Sequence, residues 1–556
     1  MRPEQIGDAL TNLSEDLVTE ALQNRGKQKK SRIPRILGIG VAASLILVTG
    51  LLLWGSKVRS LPDHMEGEQH FLYRSDKYLP TGLDSVPPVS TPALDEEPQP
   101  AVSEDSPTVP TSVFSEEPPA ILSPPADIEG DSAPEDVSVT PTPTGHLLFA
   151  PQYPKMSPYP TAESGEETRK QWMEDKEQFY ASVKDFEIPE GFMDFYRNTA
   201  QIFLAERQGE NAIYSPLNLY LALSMLAEIT GGSTRQELLA LLGTETIEEV
   251  RENTAAFWLS NYCDDGVLTC KLGNSIWLRD DMSYKEKTLS TLAEIYRAAS
   301  YSGNMGSAEF TQDLRHWINE HTGGLLKNQA EQVVLDERMV VALVSAIHFK
   351  ARWTAPFLPQ NTKDRKFYGA NRTNTMDFMH RVCTHAIYNG ENFTAVELPM
   401  SDGTAMWFFL PHEGTSPQDL LEQDAIYHLP AYGRGANKRT VKLSLYLPKF
   451  DITAETDLVQ GLAELGLTEV FHPMVSDFSP LTEDAQEIVL TKAEHCARVK
   501  IDEEGSEAVA FTVISVYAGI PADKKEEVEL VFDRPFVFVI TGRTGDPLFT
   551  GIVDQP

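Results

Sequence analysis

The sequence has little cysteine, no surplus of basic residues and none of the common metal-binding or nucleophile motifs. Four cysteines occur in 556 residues, and the formal net charge is −35. A chain this long buries an ample core without cross-links, so a small disulfide scaffold is excluded. A nucleic-acid-binding protein would carry a basic stripe, which an acidic balance of this size argues against. G-x-S-x-G, C-x-x-C and H-E-x-x-H are absent, so we expect no catalytic residue, metal site or cofactor.

Long apolar runs are equally scarce, and the one that occurs is Ile36–Trp54. As a helix, its 19 uncharged residues are long enough to cross about 30 Å of hydrocarbon. A cleaved signal peptide is the alternative, but no A-x-A-like site follows the run. Lys and Arg are concentrated before it, which places the N-terminus in the cytoplasm. The sequence therefore predicts a cytoplasmic segment (1–35), a single transmembrane helix (36–54) and an extracellular remainder at a cell membrane.

The segment after this run is rich in proline and acidic residues. Residues 80–160 contain 19 of the 37 prolines, and 13 acidic residues but no Lys or Arg lie between Tyr78 and Pro154. Such a composition offers too little apolar surface to offset the entropy of ordering. We therefore predict that residues 55–165 form a disordered, acidic, extracellular linker.

From Phe186 to Pro556 the pattern is that of a globular domain. A charged stretch around Arg169–Tyr180 reads as helical, and Ser215-Pro216 has the N-cap and first-turn residues of a helix that is apolar on nearly all sides. Strand-like runs follow in the second half. They are Met339–Phe349, Thr404–Leu410, Val441–Leu447, Val528–Phe532 and Phe536–Ile540. Helices first and strands later indicate an α+β domain.

Several segments of this domain, in order along the chain, resemble signatures of the serpin family. They are Asn211–Gly243, Asn274–Leu278, Ala342–Phe357, Leu447–Phe450, Leu462–Phe471, Ile501–Thr512 and Asp533–Val553. The resemblance covers about two thirds of the chain. It implies a multi-helix domain (186–556) with three β-sheets and an exposed reactive-centre loop. It further implies a monomeric protein that is not an enzyme but forms a covalent complex with a serine protease. The short anchor, the long acidic linker and the lack of an evident disulfide framework suggest a bacterial cell surface.

Inhibitors of this family trap the protease when the cut loop inserts as a new strand into the largest sheet. Strand side chains alternate between faces, so alternate loop residues must be small enough to enter a packed interior. The hinge comprises Glu503, Glu504, Gly505, Ser506, Glu507, Ala508, Val509, Ala510, Phe511 and Thr512. Its even-numbered members from Ser506 to Thr512 are all small, and its bulky members, Val509 and Phe511, fall on the opposite face. This parity favours an inhibitor over the alternative, a non-inhibitory binding or adhesion module.

The resemblance places the reactive bond between Gly519 and Ile520, 14 residues beyond Gly505. Tyr517 and Ala518 are alternatives for the residue read by the protease. None of these is Lys or Arg, so elastase-, subtilisin- or chymotrypsin-like proteases are the expected targets.

Other matches concern control of sheet opening. Lys449 resembles the family's lysine that pairs with an acidic residue, here Glu503, at the point where the loop begins. Trp353 resembles the family's buried tryptophan near the same point. Ser215, Asn218 and His495 resemble a polar cluster beneath the opening strands, although Ser345 stands where the family usually has Asn. For His495, an ordinary core histidine is the alternative. Cys263 and Cys270 are either a small disulfide or two separate thiols.

Overall fold

The computed structural model describes residues 145–161, 164–205, 207, 209–433, 435–484, 488–506 and 525–556. The predicted cytoplasmic segment, the predicted membrane span and linker residues 55–144 lie outside these ranges. Across the ranges given, no helix combines the length and the apolar character needed to cross a membrane.

Helices are concentrated in the first half of the domain and strands in the second, as the sequence predicts. Within the described residues the helices are α1 (Glu166–Tyr180), α2 (Glu190–Phe203), α3 (Pro216–Ile229), α4 (Gly232–Leu242), α5 (Ile247–Asn261), α6 (Glu286–Glu294), α7 (Ala308–His321), α8 (Lys327–Ala330), α9 (Pro417–Leu421), α10 (Asp424–Tyr432) and α11 (Val459–Glu464). The strands are β1 (His146–Phe149), β2 (Ala212–Tyr214), β3 (Cys263–Asp264), β4 (Thr269–Arg279), β5 (Ala298–Gly303), β6 (Val341–Arg352), β7 (Lys363–Tyr368), β8 (Thr373–Asn389), β9 (Phe393–Pro399), β10 (Ala405–Pro411), β11 (Asn437–Pro448), β12 (Phe450–Asp457), β13 (Glu494–Ile501), β14 (Gly505–Ser506), β15 (Glu527–Val531), β16 (Phe536–Thr541) and β17 (Pro547–Val553).

The central helix α3 begins where its sequence predicts. Ser215 is the N-cap, and its hydroxyl accepts a hydrogen bond from the backbone N–H of Asn218 at 3.1 Å. Pro216 occupies the first helical position, where its missing N–H costs nothing. Because the helix is apolar on nearly all sides, it is buried along its length and packs against β6 and β17.

The candidate sheet for loop insertion has eight strands and is here called the main sheet; the second sheet, described below, has nine. The order of the main sheet is β1-β5-β4-β6-β14-β13-β12, with β3 paired to β4. Strands β6 and β13 both run antiparallel to β14, which lies between them. The end of the sheet at Arg352 and Ile501 is called the loop end below, and the opposite end, at Val341, the far end.

The remaining described strands form one nine-stranded sheet, where the sequence resemblance led us to expect two separate sheets. The reason is the length of β8, a strand of 17 residues. The first part of β8 pairs with β7, the rest of it pairs with β11, and its last residues, Ile387–Asn389, pair with β9 as well. The hydrogen-bonded ladder is therefore continuous across the two groups of strands.

The N-terminal part of the described chain is more ordered than its composition predicts. His146–Phe149, inside the predicted linker, pairs with β5 as the edge of the main sheet. Helix α1, before the predicted start of the domain at Phe186, is anchored by the buried Tyr180, whose hydroxyl donates to the backbone oxygen of Tyr262 at 2.8 Å. Composition alone did not predict that His146–Phe149 is ordered, because the segment is ordered by its hydrogen bonds to β5, which is distant in sequence.

The two faces of the main sheet have different neighbours. On β6, odd-numbered residues such as Ile347, Phe349 and Ala351 join the main hydrophobic core, on the side of α3. Even-numbered residues such as Val344 and Ala346 pack in a second cluster beneath α7. Whether a residue of β6 has an odd or an even number thus decides whether its side chain packs in the main core or in the cluster beneath α7.

Candidate functional site

At the loop end of the main sheet, the chain after β13 is held by a short segment that follows β6. The Trp353 backbone N–H donates to the oxygen of Glu504, and its indole Nε1–H donates to the oxygen of Asp502, both at 2.9 Å. The Phe357 N–H donates to the oxygen of Glu503 at 2.8 Å. Trp353 itself is 3% exposed. The start of the loop is therefore fixed against a buried aromatic residue.

The Glu503 carboxylate joins two further elements at this point. Lys449 Nζ lies 3.0 Å from Glu503 Oε2, and the Thr362 hydroxyl donates to Oε1 at 2.7 Å. Burial opposes ionisation of Glu503, but the hydrogen bond from Thr362, that from its own backbone and the Lys449 ammonium outweigh it and lower its pKa. The carboxylate is therefore charged at neutral pH.

The hinge glycine lies where a side chain would collide with β6. Gly505 and Ser506 form β14, pairing with Arg352 and Ala351, and Ser506 also pairs with Ile501. A Cβ on Gly505 would come within 2.2 Å of the Ala351 carbonyl oxygen, and its φ is +154°. Close backbone approach thus explains glycine at this position.

Beneath the sheet, His495 on β13 contacts the beginning of α3. Its Nε2 accepts a hydrogen bond from the Ser215 backbone N–H at 2.9 Å, which fixes this nitrogen as unprotonated. Burial lowers the pKa of His495 to about 4. His495 is therefore a neutral, hydrogen-bonded histidine that links helix and strand.

A second arm of this cluster links α3 to β6. The Asn218 side-chain amide donates to the Ser345 backbone oxygen at 2.9 Å, and the Ser345 hydroxyl donates back to Asn218 Oδ1. Ser345, where the family usually carries Asn, is thus still part of the network. The cluster connects the central helix to the strands on both sides of β14.

The structure brings Lys449, Trp353, Glu503, Glu504 and Gly505 together at the loop end. It brings Ser215, Asn218 and His495 together under the sheet. The remaining predicted residues lie outside the described residues. They are Glu507, Ala508, Val509, Ala510, Phe511, Thr512, Tyr517, Ala518, Gly519 and Ile520.

Sequence reasoning missed Thr362 and the backbone contacts of Phe357. Thr362 follows a single turn of 3-10 helix at Pro359–Asn361. Neither residue belongs to a periodic sequence pattern, and each contacts Glu503 only because the folded chain brings distant segments together. The nearby A-P-F sequence ending at Phe357 was the available signal.

The cysteine alternatives are resolved in part. Cys263 and Cys270 face each other directly across the β3–β4 pairing, and both are buried as free thiols. Burial raises the pKa of both, that of Cys263 to about 12. Cys383 and Cys496 are also free thiols and are partly buried.

Comparison with known proteins agrees with this geometry. Rat alpha-1-antiproteinase is 29% identical over 381 residues, which cover 66% of this chain and 89% of that protein. The native structure of the thermophilic serpin tengpin matches with a TM-score of 0.59 at 21% identity, covering 74% of this chain and all of that one. Thyroxine-binding globulin in complex with thyroxine matches with a TM-score of 0.56 at 26% identity, covering 66% of this chain and 98% of that one.

The family model described as serpin (serine protease inhibitor) matches residues 191–556, which include every described contact at the loop end and beneath the sheet. With the strand order of the main sheet and the hinge at Gly505, this match establishes that the chain belongs to the serpin family.

Proposed function

We propose that this protein is a surface-displayed suicide inhibitor of serine proteases. The observation that carries the proposal is β14. The first two residues after the hinge glutamates already form a strand between β6 and β13, paired with both. Lengthening this strand is the movement by which an inhibitor of this kind removes a bound protease from its working geometry.

The register of β14 predicts where each further loop residue would lie. If the strand continues, residue 508 comes opposite Phe349 on β6 and Val499 on β13, and residue 510 comes two positions further along each strand. Phe349 and Val499 both face the main core. Ala508, Ala510 and Thr512 would therefore enter the crowded side, where small residues are required.

The odd-numbered loop residues would face α7. Val509 would lie opposite His348 and Phe511 opposite Ala346, which is buried beneath α7. This face is therefore covered by a helix at the level that Phe511 would reach, whereas parity alone assigned Phe511 only to the face opposite the small residues. Insertion past this point requires α7 to yield, so we expect Phe511 to slow the step without preventing it.

The proposed reaction is acyl transfer followed by displacement. The protease serine attacks the carbonyl carbon of Gly519, the bond to the Ile520 nitrogen breaks, and the new amine leaves while the ester remains. Insertion then moves this ester away before water cleaves it, because a displaced catalytic triad no longer aligns with its substrate. Tyr517, Ala518 and Gly519 suit chymotrypsin-, elastase- or subtilisin-like enzymes.

The same register supports display on a tether. His146 lies in one cross-strand row with Ser302, Leu278 and Val341, at the far end of the main sheet. The proposed membrane span precedes β1, so the chain from the membrane arrives at the far end. The reactive loop begins at the opposite end, where an external protease has access to it.

The test is to incubate the full chain, in detergent, with pancreatic elastase and with chymotrypsin, followed by denaturing gels. We expect an SDS-resistant complex with at least one enzyme. The variant Ala510→Glu buries an unpaired carboxylate on insertion and should be cleaved as a substrate without a complex. The matched control Val509→Glu places the same charge on the other face, near Arg498, and should retain the complex. Cleavage without any complex in the unmodified chain would refute the proposal.

A binding protein without inhibitory activity is the second candidate. It is favoured by the likeness to thyroxine-binding globulin, whose structure contains thyroxine, and by the bulky Val509 and Phe511. The gel experiment separates the two, because a binding protein forms no covalent complex with either protease.

A further inference from the structure

Two thiols face each other in a very short strand pair at the side of the main sheet. Strand β3 has two residues, and among the described strands it pairs with β4 alone, with Cys263 opposite Cys270 and Asp264 opposite Thr269. Both thiols are free and buried, at 0% and 1% exposure. Because residues directly opposite each other in antiparallel strands point to the same face of the sheet, the two side chains are neighbours.

The register of this pair suits a disulfide. Directly opposite residues in antiparallel strands have Cα atoms about 4.5–5.5 Å apart, and bonded cysteines have Cα atoms about 4.4–6.8 Å apart. The Cβ atoms of such a pair are about 4.5–5.5 Å apart and must approach to about 3.5–4.5 Å for the bond. A small local adjustment, with no change of register, would therefore join Cys263 to Cys270.

The N-terminal arm, here defined as residues 153–161 together with helix α1, docks on the β3–β4 hairpin. The Tyr159 backbone N–H donates to the backbone oxygen of Asp265 at 2.7 Å. At the other end of the arm, the Tyr180 hydroxyl donates to the backbone oxygen of Tyr262, the residue before β3, at 2.8 Å. The position of the arm therefore depends on the position of the hairpin.

A lysine of the arm connects it to the turn of the same hairpin. Lys176 lies 3.6 Å from the carboxylate of Asp265, which is 2% exposed, and 2.6 Å from that of Asp402. Asp265 Oδ1 also accepts the backbone N–H groups of Val267 and Leu268, at 3.0 and 2.9 Å, and so shapes the turn. A hairpin that opens away from β4 would thus break several contacts with the arm at once.

The docked arm lies beside the thiols. Burial raises the pKa of the Tyr180 hydroxyl, and negative charge on either sulfur would raise it further, which shows that this residue of the arm is close to both. Burial also raises the pKa of Cys263 to about 12 and that of Cys270 well above its ordinary value. Because the thiolate is the reactive form, reaction with an external oxidant requires the hairpin and the arm to open first.

We propose that Cys263 and Cys270 are a redox modification site, which the docked arm protects and whose disulfide in turn strengthens the docking of the arm. The bond would close a ring of only eight residues, 263–270, and would join β3 covalently to β4. Opening of the hairpin then becomes rarer, and the contacts of the arm persist longer. The proposal is independent of the proposed function, because neither cysteine takes part in protease inhibition.

The oxidant is an external disulfide, either that of glutathione or that of a thiol oxidoreductase. One cysteine thiolate attacks a sulfur of the external disulfide, forms a mixed disulfide and releases one thiolate. The second cysteine thiolate attacks the cysteine sulfur of the mixed disulfide, forms the bond between Cys263 and Cys270 and releases the other. Two electrons pass from the pair to the external disulfide, and the two thiol protons end on the two released thiols.

Formation of the bond is tested by mass spectrometry on the full chain in detergent. The variant Cys383→Ser with Cys496→Ser keeps only the facing pair. It is reduced, incubated with glutathione disulfide, alkylated and digested. We expect peptides linked through Cys263 and Cys270 that are together two hydrogens lighter than their reduced forms. Glutathione on either cysteine without a bond between them, or two cysteines that stay reduced, would overturn the proposal.

Two lysine variants test whether the arm protects the thiols. Lys176→Ala removes the side chain that connects α1 to the turn of the hairpin, and we expect the bond to form about tenfold faster. Lys170→Ala is the matched control in the same helix, because Lys170 is 67% exposed, and it should leave the rate unchanged. Equal rates in the two variants would contradict protection by the arm.

Hydrogen–deuterium exchange of the reduced and oxidised chains measures the effect on the arm. We expect peptides that contain Tyr159 and Asp265 to exchange about tenfold more slowly once the bond has formed. In the variant Cys263→Ala with Cys270→Ala, the same treatment with glutathione disulfide should change neither peptide. Bond formation that leaves the exchange of Tyr159 unchanged would overturn the proposed effect on docking.

Discussion

His495 lies where the central helix meets the main sheet, and the fold requires its neutral form. The Ser215 N–H occupies Nε2, so a proton there would face another donor. The cost of that protonation is reflected in the lowered pKa. Two interpretations of His495 rest on this one contact with Ser215. In the first it is an ordinary hydrogen-bonded core histidine, and in the second it links the central helix to the opening strands.

This arrangement predicts an acid-dependent loss of stability. The His495 pKa is about 4 in the fold, against about 6.5 when unfolded. Its contribution is therefore complete above about pH 6.5 and declines as pH falls towards 4, by about 3 kcal/mol in total. Urea unfolding from pH 7 to 4 should show this loss in the unmodified chain and a shallower slope in His495→Gln. Equal slopes in both would contradict the assignment.

A second residue-scale prediction concerns Ser345. Changing Ser345 to Ala removes the donor to Asn218 Oδ1 and should lower the free energy of unfolding by about 1–3 kcal/mol. Ser300→Ala is the matched control, because Ser300 is fully buried in the same sheet and its hydroxyl has no hydrogen-bond partner among the described residues. Urea unfolding should separate the two variants; equal effects would show that the Ser345 hydroxyl contributes nothing specific.

At the scale of elements, α1 is the clearest difference between sequence and structure. Its helical character could be predicted from the pattern of charges around Arg169–Tyr180, but its docking could not. Lys176 lies 2.6 Å from Asp402, which also pairs with Arg543, and the Arg543 guanidinium lies 3.6 Å from the centre of the Tyr180 ring. These partners come from turns more than 200 residues away in sequence, so no local pattern indicates them.

We therefore predict that α1 is an integral part of the domain. Lys176 is 12% exposed. Lys176→Ala would remove one of the two cations that pair with the Asp402 carboxylate, and we expect it to lower the free energy of unfolding by about 2–4 kcal/mol. Lys170→Ala, in the same helix, is the control: Lys170 is 67% exposed and 3.6 Å from Glu174, so its loss should cost less than about 0.5 kcal/mol. Chemical denaturation of both variants is the measurement, and similar small effects would mean that α1 is only loosely attached.

For the whole molecule, the sequence was most informative where segments could be matched in order. The α+β class, the central helix and the later strands could be predicted, as could the residues gathered at Glu503 and beneath the sheet. The sequence did not predict three other features: the merged nine-stranded sheet, the pairing of β1 and the contact of Thr362 with Glu503. Each of them depends on contacts between segments that are distant in sequence. Parity predicts which face Phe511 would take on insertion, but not that α7 covers that face of the sheet at Ala346.

The strand register also predicts a role for the linker length. Continued to residue 516, the inserted loop would reach the row of Val341 and His146, so a trapped protease would end near the end of the domain at which the proposed tether arrives. In lipid vesicles carrying the full chain, deleting residues 85–140 should therefore reduce covalent complex more than it reduces loop cleavage. Equal reduction of both would indicate that the linker governs access only.

The central claim is that the cleaved loop becomes a strand of the main sheet. Hydrogen–deuterium exchange of the full chain, before and after thermolysin cleavage, tests it most directly. We predict that the amides of residues 507–516 become strongly protected after cleavage, together with those of β6 and β13, and that Ala510→Glu prevents this change. Rapid exchange of residues 507–516 in the cleaved, unmodified chain would contradict the account.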